Sequence, residues 1–146
     1  MDKKATAATL IQCTNSKRDT PAAARDLYDE SRYFRVMRSW AHARDVPWFI
    51  LSAKHGLLDP DDHIAPYDSV GLSEQQATEI ATELRRRGVR EAHICAGSKY
   101  TDPLIPELEQ QGIDVVDNFA GMKIGKRQQA LKRRMRELTH EPLTDA

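Results

Sequence analysis

The sequence predicts an α/β fold: a single three-layer α/β/α domain with a mostly parallel sheet of about four strands. Three observations carry that expectation. Four short β-rich runs are near-continuously apolar, as strands buried on both faces are, and helical patterns lie between them. Alternation of strand and helix requires crossover connections, and these make neighbouring strands parallel. At 146 residues the chain is one domain's worth, enough to bury roughly 70% of the surface its unfolded form exposes.

The elements follow in order. "ATLIQC" (8 to 13) is the first strand. Residues 31 to 44 form an amphipathic helix with Tyr33, Met37, Trp40 and Ala41 on one stripe and arginines opposite. "PWFILSA" (47 to 53) is the second strand, and Trp40 and Trp48 read as core. Residues 73 to 88 open on Ser73 with Gln76 three positions on, a capping box, and stop at Gly88. "AHICAG" (92 to 97) is the third strand. A helix capped by Asp102, with Pro103 as its first residue, ends before Gly112. "IDVVDNF" (113 to 119) is the fourth strand. A last helix over 124 to 138 aligns Ile124, Leu131, Met135 and Leu138. One domain over residues 1 to 146 is expected, with residues 1 to 6 and 139 to 146 as frayed tails.

Composition narrows the function classes. Hydrophobic residues make up 40% and charged residues 30%, values of neither a disordered nor a fibrous chain. No apolar run has membrane-spanning length and no N-terminal signal pattern is present, so no membrane partner and a cytoplasmic location are expected. Cys13 and Cys95 lie far apart without CxxC spacing, which fits a reducing compartment and excludes a disulfide framework or zinc ribbon. Net charge is zero but uneven: residues 1 to 120 hold 15 Lys/Arg against 19 Asp/Glu, and residues 121 to 146 hold 7 against 3. A globally basic surface is excluded, and a local basic face is not.

The chemistry gathers after the strands, where open α/β sheets bind ligands. The four following segments are "CTNSKRD", "SAKHGLLDPDDHIAPYD", "AGSKYTD" and "NFAGMKIGK", and each contains lysine: Lys17, Lys54, Lys99, and Lys123 with Lys126. Glycines Gly56 and Gly97 and small donors Thr14, Asn15, Ser16, Ser52, Ser98 and Thr101 accompany them, with Cys13 and Tyr100 alongside. Converging strand ends of this kind make an anion-binding crevice. The opposite ends, "RDVP", "RGVREA" and "QQGID", carry ordinary turn chemistry without this mixture.

Individual residues carry alternatives. His55 is either an acid or base near neutral pH or a hydrogen-bonded strand-end cap. Asp59-Pro60-Asp61-Asp62-His63 has metal-ligand types, yet Asp-Pro begins ordinary turns and no second cluster offers more ligands, so neither metal nor cofactor is expected. Tyr67 either stacks on a base or sugar or pins its loop, and Asp68 beside it is a carboxylate for orienting water. Cys13 is either a nucleophile or a buried filler. "GMKIGKRQ" is not a P-loop, because its glycine spacing is one short and Arg127 stands where Ser or Thr should hold Mg²⁺. Lys126, Arg127, Lys132, Arg133 and Arg134 give the last helix a cationic surface suited to a phosphate backbone, or a solvated face balancing an acidic body.

Taken together, "QCTNSK", "PAAARDLYDESRYFRVMRSWA", "WFILSAKHGLLDPDDHIAPYD" and "AGSKYTDPL" resemble the family called domain of unknown function 6884, across residues 9 to 127. "GLLDPDDHIAPYD" is more distantly similar to YaaA-type peroxide-stress proteins, which are linked to DNA binding. The expected sheet resembles uracil-DNA-glycosylase-type and archaeosine-synthase-type domains, which act on nucleobases. These are fold-level likenesses. The GQDPYH-like motif of uracil glycosylases and a helix-hairpin-helix signal are both absent.

The leading expectation is an enzyme acting on a nucleotide or nucleic acid, DNA rather than RNA, that cleaves or exchanges an N-glycosidic bond. Asp68 or Asp61 would stabilise charge on the sugar or activate water, and His55 would protonate the leaving base. Tyr67 would stack on the base, and Lys17, Lys54 and Lys99 would hold phosphate. The rival is a non-catalytic module whose crevice binds a nucleotide, and a third is a thiol enzyme centred on Cys13. A single site requires Lys17, Lys54, Tyr67, Asp68 and Lys99 to converge.

Overall fold

The computed structural model describes residues 6–144. In chain order the elements are β1 (Ala7–Gln12), β2 (Ala22–Ala23), α1 (Ala24–Leu27), α2 (Arg32–Ala43), β3 (Trp48–Ser52), β4 (Gly56–Leu58) and β5 (His63–Ile64). They continue as α3 (Glu74–Arg86), β6 (Glu91–Cys95), α4 (Ser98–Gln110), β7 (Asp114–Val116) and α5 (Ile124–Thr144). The main sheet has the order β4-β3-β1-β6-β7. β1 pairs in parallel with both β3 and β6, and β6 with β7. Ala8, Leu10 and Ile11 of central β1 are buried on both sheet faces, which is why that strand reads as a continuous apolar run. α2 and α5 pack together as one outer layer, α3 and α4 as the other.

The sheet has five strands, one more than expected. Past Ser52 the chain turns within residues 53–55, and Gly56 takes φ +74°, a left-handed conformation that favours glycine. β4 then runs back along β3, pairing Ser52 with Gly56 and Ile50 with Leu58. Three residues followed by acids gave no strand signal of their own.

Two helix starts carry a serine cap, of which the Ser73 box was readable in the sequence. Ser31 accepts from the Phe34 N–H, and the Ser73–Gln76 box is complete in both directions. α4 corrects the expectation, starting at Ser98 with Gly97 as cap, so Pro103 and Pro106 lie inside it. A proline at 103 removes the N–H that would bond the Lys99 carbonyl. That carbonyl accepts instead from the Leu72 N–H at 3.1 Å, so the loop before α3 takes up the acceptor that proline frees.

α5 corrects a second expectation. Ile124 is 52% exposed and leaves the apolar stripe, whereas Arg127 is only 7% exposed and occupies it, four residues before buried Leu131. The helix runs to Thr144, past the expected end at 138, since no glycine follows the stripe to stop it. Of the expected frayed tails, residues 1–5 and 145–146 lie outside the described residues. Trp40 is buried as expected, and Trp48 is half-buried beside His42.

His93 on β6 gives the fold a pH dependence. Burial lowers its pKa, the Glu91 hydrogen bond opposes that, and Arg44 and Arg134 add to the lowering. The unfolded chain therefore takes up this proton first as pH falls. The stabilising contribution is complete above the ordinary histidine value of about 6.5 and is lost progressively below it. Urea unfolding at a series of pH values is expected to show this loss, and His93→Gln to reduce its slope.

Candidate functional site

The order reverses at β1. From β1 the chain crosses to β3 on one side, and later crosses back to β6 on the other. The helices that follow β1 and β6 therefore lie on opposite faces, and a crevice opens between the two strand ends at the carboxyl edge.

Two adjoining compartments make up this crevice and share Gln12, Val70, Tyr100 and Ile124. The smaller, about 240 Å³, is walled by Cys13, Thr14, Asn15, Ser16, Ser31 and Tyr33. The larger, about 450 Å³, adds Gly97, Ser98, Lys99, Lys123 and Arg127. Among the described residues no carboxylate lines either. Val70 and Ile124, at 53% and 52% exposure, are the large apolar side chains most open to solvent among the described residues, and both border this opening.

The rear wall is a hydrogen-bond network. Gln12 Oε1 accepts from the Gly97 N–H at 2.7 Å and from the Tyr33 hydroxyl at 3.5 Å, tying the ends of β1 and β6 to α2. Arg127 Nη1 donates to the Tyr33 hydroxyl at 2.8 Å, and Nη2 donates to the Met122 carbonyl. Nε is buried with no partner, and no carboxylate pairs with this guanidinium among the described residues. The position a side chain at Gly97 would occupy lies 3.5 Å from Gln12 Oε1 and 3.9 Å from Arg127 Nη1, so the guanidinium sits beside the start of α4.

That start is itself polarised. The Gly97 carbonyl accepts from Tyr100 and Thr101, and no side chain caps the helix. The Ser98 and Lys99 N–H groups have no acceptor within the helix, and the dipole adds partial positive charge there. Peptide N–H groups, a buried guanidinium and two exposed ammonium groups, Lys99 and Lys123, thus surround one volume. Such an arrangement favours an anion.

A second cluster lies at the ends of β1 and β3. Tyr67 shares its hydroxyl with Tyr28 at 2.6 Å and with buried Ser52 at 2.8 Å, and Ser52 Oγ accepts from the Lys54 and His55 N–H groups. Lys17 Nζ lies 4.7 Å from the Tyr67 ring centre, and His55 meets that ring edge-on. Burial, reinforced by the neighbouring Cys13 thiol, pushes the Tyr67 hydroxyl well above the phenol range, so it stays protonated as a donor. Tyr67 therefore pins its loop. Tyr67→Phe is expected to cost about 1–3 kcal/mol in denaturant unfolding, because Ser52 and Tyr28 each lose a buried partner.

The expected site residues divide accordingly. Cys13, Asn15, Ser16, Gly97, Ser98, Lys99 and Tyr100 meet at the crevice. Lys17, Ser52 and Tyr67 meet in the tyrosine cluster, which touches the crevice through Cys13, 3.3 Å from the Tyr100 hydroxyl. Lys54, His55 and Gly56 are carried outward by the β3–β4 turn, and His55 and Gly56 line a separate recess with Glu79 and Glu83. The His55 pKa is lowered by burial and by Lys54. Asp61, with an 85% exposed side chain, pairs with Arg25, while Asp59 pairs with Arg87. The acid run is thus a turn docked on α1 and α3, and β5 pairs with β2 beside it. Asp68 is exposed on the loop between Tyr67 and Val70 and lines neither compartment. The five residues expected to converge do not form one set.

On α5, Lys126 and Arg133 share a groove with Lys123, whereas Arg134 lies near Arg44 and His93, and Lys132 is half-buried outside the groove. Arg127, expected as an exposed backbone contact, is inside the molecule. Residues absent from the sequence-based site are Gln12, Ser31, Tyr33, Val70 and Ile124. An amide ending the apolar run "ATLIQ" was a readable sign for Gln12, while Tyr33 and Ile124 read as apolar-stripe residues and Ser31 and Val70 carried no site signal.

Fold and crevice define the class: a doubly wound α/β protein with an acid-free, cationic site at its switch point. The chain belongs to the family of unknown function DUF6884, whose model matches residues 8–133. No curated protein and no solved structure matches it. No helix among the described residues is long and apolar enough to cross a membrane, and no three His, Cys, Asp or Glu side chains there are grouped to hold a metal ion.

Proposed function

We propose that the protein handles a nucleotide or nucleic acid, and that the switch-point crevice binds one nucleotide unit of it. The phosphate lies before the first turn of α4, facing the Ser98 and Lys99 N–H groups, Lys99, Lys123 and Arg127. The nucleoside occupies the smaller compartment, where Thr14, Asn15, Ser16 and Ser31 offer hydroxyl and amide groups and Val70 and Ile124 flank its rings. The observation that carries this reading is the cation- and donor-lined crevice, without a carboxylate among the described residues. Calorimetric titration tests it: nucleoside 5′-monophosphates are expected to bind at least 10-fold more tightly than the matching nucleosides. Equal affinity, or none for both, would overturn the phosphate assignment.

A second reading adds chemistry to the same crevice: cleavage or exchange of the N-glycosidic bond, with Asp68 as the carboxylate that steadies charge on the sugar. It rests on the position of Asp68, two residues before Val70 on the loop bordering both compartments. Release of free base from a nucleotide or oligonucleotide, lost in Asp68→Asn with binding retained, is the expected result. Wild-type protein without turnover on such substrates leaves the binding reading alone.

A further inference from the structure

The larger compartment does not end at Lys123. The same lysine borders a neighbouring groove of about 380 Å³ along α5, completed by Met122, Lys126, Gln129, Ala130 and Arg133 with Gly121. Among the described residues, every ionisable side chain lining that groove is cationic. In a chain of zero net charge, this face therefore holds a local excess of positive charge. Lys126 and Arg133 stand seven residues apart on one helix face, about 10 Å along the axis. That spacing lets them meet different phosphates of an extended strand. Met122 and Ala130 pack against the hydrophobic core beneath them and offer an apolar floor for sugars and base faces.

We infer that the ligand is a single-stranded phosphodiester chain, one nucleotide of which sits in the crevice while its flanking backbone runs across Lys123 onto the Lys126–Arg133 groove. This rests on the nucleotide reading of the crevice and extends it to a polymer. Alternation of cations with a small apolar floor suits a strand whose phosphates and rings alternate along its length.

The experiment compares thymidine 5′-monophosphate, a short oligothymidylate, a short oligouridylate, a thymidylate duplexed with oligoadenylate, and a glutamate peptide of matching charge. Each is titrated into the full chain and into the Lys126→Ala/Arg133→Ala double variant across a salt series. Wild-type protein is expected to bind the single strands at least 10-fold more tightly than the mononucleotide. The double variant is expected to lose that gain, keep its mononucleotide affinity, and show a log–log salt slope smaller by about 1.4, from two lost contacts at about 0.7 each. The two single strands separate DNA from RNA as the source of the chain.

Mononucleotide binding without an oligonucleotide gain, or a gain that survives the double substitution, would overturn the extension and spare the crevice. Absence of binding to every nucleotide ligand would overturn both. Tighter binding of the duplex or the glutamate peptide than of the single strands would also overturn it. Circular dichroism of the double variant is expected to match that of the wild type, because both substituted side chains are exposed.

Discussion

Arg127→Met is expected to weaken nucleotide binding by on the order of 10- to 100-fold while changing folding stability by no more than about 1–2 kcal/mol. The two effects separate because of where the guanidinium lies. It is buried beside the start of α4, holds the Tyr33 hydroxyl and the Met122 carbonyl, and has an unpartnered Nε and no carboxylate counter-ion among the described residues. Burying a cation without a counter-ion costs several kcal/mol, and two hydrogen bonds from a charged group, about 1.5–3 kcal/mol each, offset that cost only in part. Methionine keeps most of the side-chain length and removes the charge, so the fold loses little. An anionic ligand loses a charge-assisted contact, and about 1.5–3 kcal/mol corresponds to the expected loss of affinity. Arg127→Lys keeps the charge without the planar fork and should fall between the two. Thermal unfolding and calorimetric titration on the same samples check both halves. A stability loss above about 3 kcal/mol with unchanged binding would make Arg127 a structural residue.

Trp40→Ala is expected to be the most damaging single substitution to the fold, at about 3–5 kcal/mol. Trp40 is buried on the inner face of α2 and meets Phe119 edge-to-face, with ring centres 5.3 Å apart. Arg44, one turn on at the C-terminal end of α2, covers the indole at 5.7 Å. Truncation removes the aromatic pair and leaves a cavity between α2 and the segment after β7. A domain of this size has roughly 5–15 kcal/mol in total, so the change takes a large share and lowers Tm by about 10 °C. Phe119 also anchors the turn that presents Lys123 to the crevice, with its carbonyl accepting the Met122 N–H at 3.1 Å. Nucleotide affinity of the folded variant should fall with stability. Guanidinium unfolding with an unchanged m-value and a shifted midpoint is the expected signature.

The four parallel strands, the helix α2, the capped start of α3 and the position of the crevice were legible because each rests on a local signal: apolar runs, the Tyr33–Trp40 stripe, Ser73 with Gln76, and polar segments after strands. β4 was not, since three residues paired across a tight turn have no periodicity to read. The start of α4 was misread for a related reason. Asp102-Pro103 looks like a cap and first turn, but the Leu72 N–H at the Lys99 carbonyl lets the helix begin earlier, and that contact comes from a distant part of the chain. At the site, the polar segments after the strands pointed to Asn15, Ser16, Ser98, Lys99 and Lys123, and these residues line the crevice. Asp61, taken as a catalytic candidate, instead pairs with Arg25 in an exposed turn, and Arg127 was misplaced, because a cation in an apolar stripe resembles its exposed neighbours until packing is known.

The claim that the crevice receives phosphate at the start of α4 is most directly tested by amide and arginine side-chain NMR during titration with a nucleoside 5′-monophosphate. The expected result is saturable shifts of the Ser98 and Lys99 amides together with the Arg127 Nε–H, and quiet resonances at Gly56, Leu57 and Leu58. Shifts confined to the β3–β4 turn, or none at Ser98, Lys99 and Arg127 when ligand is saturating, would contradict it.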